Sequence, residues 1–381
     1  MTRSVPPPTT LRPTGARLSY VDNLRIALTV VVVLHHAAVA YSTIPQWYYK
    51  EPTTDPSATL LDLFAVVNQS YFMGAFFLLS GLFVPASLDR KGPGRFLADR
   101  LLRLGVPLLV WLFVLRALVT VDRYQAERAT ALARGADLPY WQYYLQSFSA
   151  GPMWFVEVLL LFSALYVLWR WLVPARAVAV TGRAPGAAAI IGFTAALALV
   201  TYLWRIVLPM DSNLLGLPSP GYLPQYAALF AVGVLAARRG WLGSVSRAAG
   251  RVGLAAAVVG VVVLLAMVFG SSDEEFMGHG SWQSLVAVTG ESVFAVGIVL
   301  WLLVLFRGRF DRQGRGSRFL SAHAFTVYLI HPVVLVGLSH LIVDVPVPAV
   351  GKFVLLSVLA VPLCWLVAYP VRALPGLRKV L

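Results

Sequence analysis

Residues 20–41 read YVDNLRIALTVVVVLHHAAVAY, an apolar run of membrane-spanning length that contains Asp22, Arg25, His35 and His36. On an α-helix Arg25 and His36 share one face, about 16 Å apart along the axis. Ionisable groups inside a membrane helix cost about 2.5–3.5 kcal/mol each, so they are rarely kept without a use. The structural alternative is that Arg25 reaches the inner interface and the histidine pair fills a polar gap between helices.

The composition is that of an integral membrane protein. Of the 381 residues, 59% are hydrophobic and 13% are charged, whereas soluble domains carry about 25% charged residues. The net charge of +14 does not indicate nucleic acid, because the basic residues fall in short loops between apolar runs. Runs of about 20 apolar residues predict an all-α polytopic protein with about ten transmembrane helices, at approximately 18–42, 60–86, 100–121, 152–174, 187–209, 222–238, 252–270, 282–306, 318–342 and 349–370.

Lysine and arginine predict the orientation. Most lie in the N-terminal tail, in alternate loops and at the C-terminus, and the opposite loops hold only Lys50, Arg123, Arg128 and Arg134. The positive-inside rule then places both termini in the cytoplasm. We expect a disordered Pro- and Thr-rich tail at 1–16, a membrane domain at 17–371 and a short cytoplasmic tail at 372–381.

The longest external loop, 122–151, begins with a polar stretch. Residues 122–134 (DRYQAERATALAR) predict a short helix on the membrane surface, or alternatively a lid over an outward-facing site. Aromatic residues outside the spans, including Trp47, Tyr48 and Tyr49, are interpreted as an interfacial belt.

Two polar side chains are predicted to lie at one depth in the outer half of the membrane. His36 is in the outer half of the first span, and Glu157 follows the external start of the fourth span. A carboxylate beside an imidazole fixes one tautomer and raises its basicity, which suits a general base. The alternative is a structural hydrogen bond between the two helices.

Arg100 and Arg103 stand one turn apart at the inner start of the third span, so we expect them to share a face. Two guanidinium groups there can each bind phosphate oxygens in pairs. The alternative is that they only determine the topology, as most basic residues of inner loops do.

Further candidates for substrate binding are His35, His331, Tyr328 and Glu291. His331 and Tyr328 lie near mid-depth in the ninth span, and Glu291 lies at similar depth in the eighth. His331 either lines the site or bonds to backbone carbonyls that Pro332 leaves without a partner. No metal is expected, because the chain has one cysteine and no metal-binding signature.

Several stretches of the chain, taken together, resemble the acyltransferase 3 family of bacterial integral membrane acyltransferases. DNLRIALTVVVVLHH resembles its Arg-x10-His motif, here Arg25 and His36, and FLADRLLRLGVP its Arg-x-x-Arg motif, here Arg100 and Arg103. FFLLSGLFV from Phe76, GPMWFVEVLL and YLIHPVV are similar to further landmarks of the family. The resemblance covers essentially the whole chain.

The resemblance implies a bacterial cytoplasmic membrane protein that takes an acyl group from a cytoplasmic acyl-CoA, usually acetyl-CoA. The acceptor is a hydroxyl of a glycan, lipid or small molecule. The His35-His36 doublet and the GPMWF form resemble the branch with a glucan succinyltransferase, which implies succinyl as an alternative acyl group. Since the last span nearly reaches Leu381, we expect no appended esterase-like domain.

In this interpretation His36 acts as the base or briefly carries the acyl group, Glu157 orients it, and Arg25 lies along the path of the donor. Arg100 and Arg103 hold the donor's phosphates. A different hypothesis is a proton-coupled transporter that uses Arg25, His36, Glu157 and Glu291 as a relay. Against a transporter, the sequence shows no inverted repeat.

Overall fold

The computed structural model describes residues 18–45, 47–51, 55–173, 182–212, 214, 216–217 and 220–381, so the tail predicted at 1–16 lies outside the described residues. Most of the described residues are helical, the helices are joined by turns and loops, and one isolated bridge links Leu214 to Leu217. Helices satisfy their own backbone hydrogen bonds, as a lipid surrounding requires.

The helices follow one another through the whole described chain. In order they are α1 (Ser19–Tyr41), α2 (Ala58–Gln69), α3 (Phe72–Lys91), α4 (Pro93–Val119), α5 (Val121–Ala133), α6 (Tyr140–Gln146), α7 (Trp154–Leu172), α8 (Ala187–Val207), α9 (Leu223–Arg239), α10 (Arg247–Gly270), α11 (Asp273–Met277), α12 (Trp282–Arg309), α13 (Arg315–Leu341) and α14 (Ala349–Ala373).

The prediction of an all-α polytopic membrane protein is confirmed. Nine segments of the described chain are long and apolar enough to cross a membrane. The span predicted at 222–238 corresponds to α9, which has 17 residues and packs along α3 inside the helix bundle. Large apolar side chains remain exposed on the outer faces of α7, α8 and α10, as expected of surfaces that meet lipid.

The second span is broken, although the sequence predicted one helix over 60–86. It consists of α2 and α3, which are separated at Ser70 and Tyr71. Gln225 of α9 donates to the freed Ser70 carbonyl over 2.8 Å. The break therefore keeps a hydrogen-bond partner inside the membrane, and it places Phe72 at the start of α3.

Close backbone contact joins α3 to α9. A Cβ atom on Gly81 would overlap the carbonyl oxygen of Phe230, and one on Gly233 would overlap the carbonyl oxygen of Leu78. Glycine at both positions lets the two helix backbones touch, which is how many membrane helices pack. Elsewhere α10 packs along α12, and α1 packs against α13 and α14.

The external segment 122–151 is tied to the bundle by polar contacts. The predicted surface helix forms as α5, and Asp122 at its start accepts a hydrogen bond from His340 over 2.8 Å. The Arg116 guanidinium is buried, lies 4.3 Å from the centre of the Tyr144 ring and donates to Ser147 Oγ over 3.0 Å. These contacts fix both ends of the segment.

Candidate active site

His36 of α1 contacts two aromatic rings. The His331 ring of α13 is stacked on it with centroids 4.9 Å apart, and the Trp47 ring is stacked on it at 4.4 Å. Nε2 of His331 lies 3.0 Å from Nδ1 of His36, within hydrogen-bond distance. The imidazole of His36 is therefore held in one orientation by stacking and by a directed contact.

Exposure distinguishes the three clustered histidines. His331 is completely buried and His35 is 8% exposed, whereas His36 is only half-buried. The His35 ring lies edge-on to His36 and packs 5.0 Å from the Phe72 ring. His36 is therefore the ring of this cluster that a substrate reaches most easily.

His331 bonds to a backbone carbonyl, as one of the two alternatives left by the sequence predicts, and it also contacts His36. Its Nδ1 lies 2.7 Å from the backbone oxygen of Tyr328, three residues earlier. In a regular helix that oxygen accepts from the N–H of residue 332, but residue 332 is proline and has no N–H. His331 thus bonds to the carbonyl freed by Pro332 and contacts His36 at the same time.

Tyr328 links α13 to the turn before α7. Its hydroxyl donates to the backbone oxygen of Pro152, in the short turn Gly151–Met153. Because this hydroxyl is already engaged, its direct role in the structure is to hold the turn beside the histidine cluster.

The loop after α1, described at residues 42–45 and 47–51, places Trp47 against His36. The ammonium group of Lys50 donates to the carbonyl oxygens of Val39, Ser42 and Ile44, over 2.6–2.8 Å. Glu51 pairs with Lys352 of α14 over 3.1 Å. Trp47 is 4% exposed, so it belongs to the core, and its interpretation as part of an interfacial belt is wrong.

An aromatic wall beside His36 consists of Trp47, Tyr48 and Trp111. Tyr48 is the middle ring of this wall. Its ring lies 5.4 Å from the Trp47 ring and 5.9 Å from the Trp111 ring of α4. Burial raises the pKa of the Tyr48 phenol, so its hydroxyl keeps its proton. Gly151 packs against this hydroxyl, where a Cβ atom would overlap it.

Glu157 does not bond to His36, contrary to the predicted pairing. It is half-buried in the first turn of α7, and Tyr328 is within its electrostatic range. His331 holds the position against His36 that Glu157 was expected to take. Depth in the membrane, on which the pairing was based, does not determine which side of a helix a residue faces.

Glu291 lies in a separate buried ion pair, not in the histidine cluster. Its carboxylate accepts from Arg205 of α8 over 3.0 Å, and both side chains are almost completely buried. The Arg205 guanidinium also lies 4.7 Å from the centre of the Tyr222 ring. A buried carboxylate held by a buried guanidinium joins α8 to α12, so the expected substrate-binding role of Glu291 is not supported.

The comparisons with known proteins identify the family. The sequence profile of the acyltransferase 3 family, described as an acyltransferase domain, matches residues 18–369. The chain belongs to this family. No curated protein and no solved structure matches it. The protein is therefore a membrane acyltransferase of the acyltransferase 3 family, with multiple membrane spans.

The acyltransferase 3 motif arginine of α1 lies well below the histidine cluster. Arg25 donates to Asp22 one turn earlier, and its side chain is 42% exposed. It shares an unbroken helix with His36, about 16 Å away along the axis. Two residues before it, Asn23 donates to the backbone oxygens of Phe310 and Arg312, which ties the loop after α12 to the start of α1.

The Arg-x-x-Arg residues of this acyltransferase do not form one regular helical face. A π-helical turn at Leu101–Gly105 follows Arg100 and contains Arg103, so the angle between the two side chains differs from that of a regular helix. Arg103 is exposed, and Arg100 is half-buried with its guanidinium 5.2 Å from the centre of the Phe96 ring. Neighbouring Asp99 pairs with Lys91, so neither arginine is its ion-pair partner.

An apolar groove opens beside Arg100 between α4 and α7. It is lined by side chains from both helices: Leu97, Arg100, Leu101, Leu160, Leu161 and Ala164. Sequence reasoning missed this groove, because neither helix alone shows a polar signal for it. The π-helical turn is equally invisible in the residue pattern.

Proposed function

We propose that the protein transfers an acyl group, acetyl or succinyl, from cytoplasmic acyl-CoA to a hydroxyl group. The acceptor is a glycan, lipid or small molecule that is extracytoplasmic or associated with the membrane. The observation that carries the proposal is His36, a half-buried imidazole held by contacts with Trp47 and His331 in an acyltransferase 3 chain.

His36 supplies the proton chemistry of the transfer. As the acceptor oxygen attacks the thioester carbonyl, an imidazole nitrogen of His36 takes the hydroxyl proton, the carbon–sulfur bond breaks, and the proton passes to the departing CoA thiolate. In the second route a nitrogen of His36 attacks the thioester carbonyl, the carbon–sulfur bond breaks and CoA leaves as the thiolate. The acceptor hydroxyl then attacks the acyl-histidine, the bond between nitrogen and acyl carbon breaks, and the hydroxyl proton ends on the CoA thiolate. Both routes need a neutral imidazole at the start.

Arg100 and Arg103 are proposed to bind the donor's phosphates. The supporting observations are the exposed guanidinium of Arg103 and the apolar groove beside Arg100, which suits the uncharged pantetheine arm. Arg25 lies on the helix that carries His36 and would accompany the arm part of the way. His35 and Tyr328 border the acceptor position, through packing on His36 and through the turn at Pro152.

The test is acyl transfer from radiolabelled acetyl-CoA and succinyl-CoA in membranes that contain the cell's own glycans and lipids. His36→Ala should lower transfer by about 10²–10⁴-fold, the usual contribution of general-base catalysis. The matched control is His279→Asn, because His279 is exposed and its positive φ suits asparagine.

Two outcomes would contradict the proposal. Retention of more than about a tenth of wild-type transfer by His36→Ala would exclude the catalytic role. Solute flux without consumption of acyl-CoA would instead support the proton-coupled transporter. Equal amounts of folded protein in both variants show that a loss of transfer reflects chemistry.

A further inference from the structure

We propose that His331 and Pro332 together fix the tautomer of His36, so that its Nε2 is the atom that accepts the proton or the acyl group. His331 is thus a positioning residue for His36, and Pro332 is what makes it one. The inference rests on the proposed function, in which His36 begins each cycle as a neutral imidazole.

The hydrogen-bond directions determine where the protons lie. A carbonyl oxygen only accepts, so Nδ1 of His331, 2.7 Å from the Tyr328 oxygen, must carry a hydrogen. The other nitrogen of a neutral ring is then an acceptor. Because Nε2 of His331 lies 3.0 Å from Nδ1 of His36, the hydrogen between them belongs to His36.

The consequence for His36 is an unprotonated Nε2. A neutral imidazole carries one N–H, and here that N–H is on Nδ1, directed at His331. The lone pair of Nε2 is then available on the one histidine of the cluster that is only half-buried. The backbone oxygen of Val32, one turn earlier on α1, is a second hydrogen-bond acceptor for the His36 ring. Loss of His331 should therefore raise the share of the tautomer protonated on Nε2 without making it the sole form.

Pro332 makes this arrangement possible. With any other residue at 332, a backbone N–H would donate to the Tyr328 oxygen and complete the helix. Proline removes that donor, and a carbonyl inside the membrane needs another one. His331, one residue earlier, supplies it through Nδ1. The helix defect at Pro332 is thus what orients the hydrogen bonds of the histidine pair.

The pair does the orienting that a carboxylate performs in other catalytic sites, but without a negative charge. After His36 accepts a proton on Nε2, its Nδ1–H still donates to His331, so the pair needs no rearrangement during the transfer. Among the described residues, no carboxylate bonds to either ring. The lone pair of Nε2 on His331 fills that role.

The decisive variant is Pro332→Ala. It restores the backbone N–H at 332, which competes with His331 for the Tyr328 oxygen. None of the histidine or aromatic side chains of the cluster is replaced. Since proline disfavours a helix interior, folding should be unaffected or improved. We expect kcat to fall by about tenfold or more and KM for acyl-CoA to stay within about twofold, because the donor site is untouched.

Two variants of His331 complete the comparison. His331→Leu removes the acceptor for Nδ1–H of His36, and His331→Gln retains an amide oxygen that can accept from it. We expect His331→Gln to keep clearly more activity than His331→Leu at equal amounts of folded protein. Equal loss in both would show that only the ring's packing matters, and it would overturn the proposal.

The tautomer itself can be observed by solid-state NMR of protein labelled with ¹⁵N-histidine. The His36 signals are assigned by their loss in His36→Ala. We expect the wild-type His36 to be protonated on Nδ1, and Pro332→Ala to show a growing Nε2–H population. A wild-type His36 protonated on Nε2, or a Pro332→Ala variant with wild-type kcat, would overturn the inference. If His36→Ala is inactive in that case, the proposed function still stands.

Discussion

The aromatic wall beside His36 packs against Gly151, and Gly151→Ala should displace its middle ring, Tyr48. Gly151 has a φ of +49°, a conformation that side-chain-bearing residues rarely adopt. A Cβ atom there would overlap the Tyr48 hydroxyl and lie 3.1 Å from Tyr48 Cζ and 3.3 Å from Trp111 Cζ2. Tyr48 must therefore move, and it packs directly on Trp47, the ring stacked on His36.

The magnitude has two parts. Backbone strain at a positive φ costs about 1–2 kcal/mol for a residue with a Cβ atom, and overpacking adds about 1–3 kcal/mol. We therefore expect the free energy of unfolding to fall by about 2–5 kcal/mol. Gly135 is the matched control, because its φ is +78° and a Cβ atom there meets nothing within 4 Å. Gly135→Ala should show the strain alone.

The assay is unfolding in detergent micelles, together with acyl transfer at a fixed amount of folded protein. A displacement of about 1 Å at a catalytic group can lower the rate by about 10²-fold, so Gly151→Ala should lose activity that Gly135→Ala retains. Adding Tyr48→Phe to Gly151→Ala removes the overlapping hydroxyl and should recover part of the stability and part of the activity. If Gly151→Ala were as mild as Gly135→Ala, the argument that this wall positions His36 would be refuted.

Three further predictions concern the surroundings of the site. Arg205→Met should lower the unfolding free energy by about 3–5 kcal/mol, because it leaves the Glu291 carboxylate buried without its ion-pair partner. The double variant Arg205→Met with Glu291→Met should lose less unfolding free energy than either single variant. Unfolding titrations measure these values, and equal losses in the single and double variants would contradict the prediction. Lys50→Met removes three hydrogen bonds to backbone carbonyls and should loosen the loop after α1. We expect faster proteolysis of that loop and reduced acyl transfer. Unchanged proteolysis would show that the ion pair between Glu51 and Lys352 is sufficient to hold the loop. Arg103→Lys should weaken acyl-CoA binding. The double variant Arg100→Ala with Arg103→Ala should weaken it further, by about 1.5–3 kcal/mol for each charge-assisted hydrogen bond to phosphate that is removed. Unchanged affinity in the double variant would mean that the two arginines only determine the topology.

Most of the fold was readable from the sequence, because a membrane imposes length and apolarity on each span. The break of the second span was not. Neither proline nor glycine marks Ser70 and Tyr71, and the carbonyl freed there is satisfied by Gln225, which comes from a helix far along the chain. The length and polarity of α2 and α3 together resemble one long span, so only the packed structure separates them.

The candidate site was readable in part. His36 was predicted from its place in the first span, and its neighbour Trp47 was missed because loop residues show no periodicity. Lys50 was counted as an ordinary external cation, but its ammonium group bonds to one carbonyl in the last turn of α1 and to two just after it. Such contacts depend on how a loop folds back on its own helix, and hydropathy does not contain that information.

The hydrogen-bond partner of His36 follows more directly from which backbone groups lack a donor than from the depth of residues in the membrane. Glu157 and His36 lie at similar depth, yet depth leaves the rotation of each helix undetermined, and the two do not bond. By contrast, the sequence His331-Pro332 predicts a specific hydrogen bond. Because proline has no N–H, the carbonyl of Tyr328 lacks its usual helical donor and needs another one. A histidine that donates to this carbonyl through Nδ1 must present an acceptor at Nε2 when neutral. A second polar donor has to face it, and in a membrane core few side chains qualify. His36 is such a donor, so the chemistry of one missing N–H leads from a proline in α13 to the reactive nitrogen in α1.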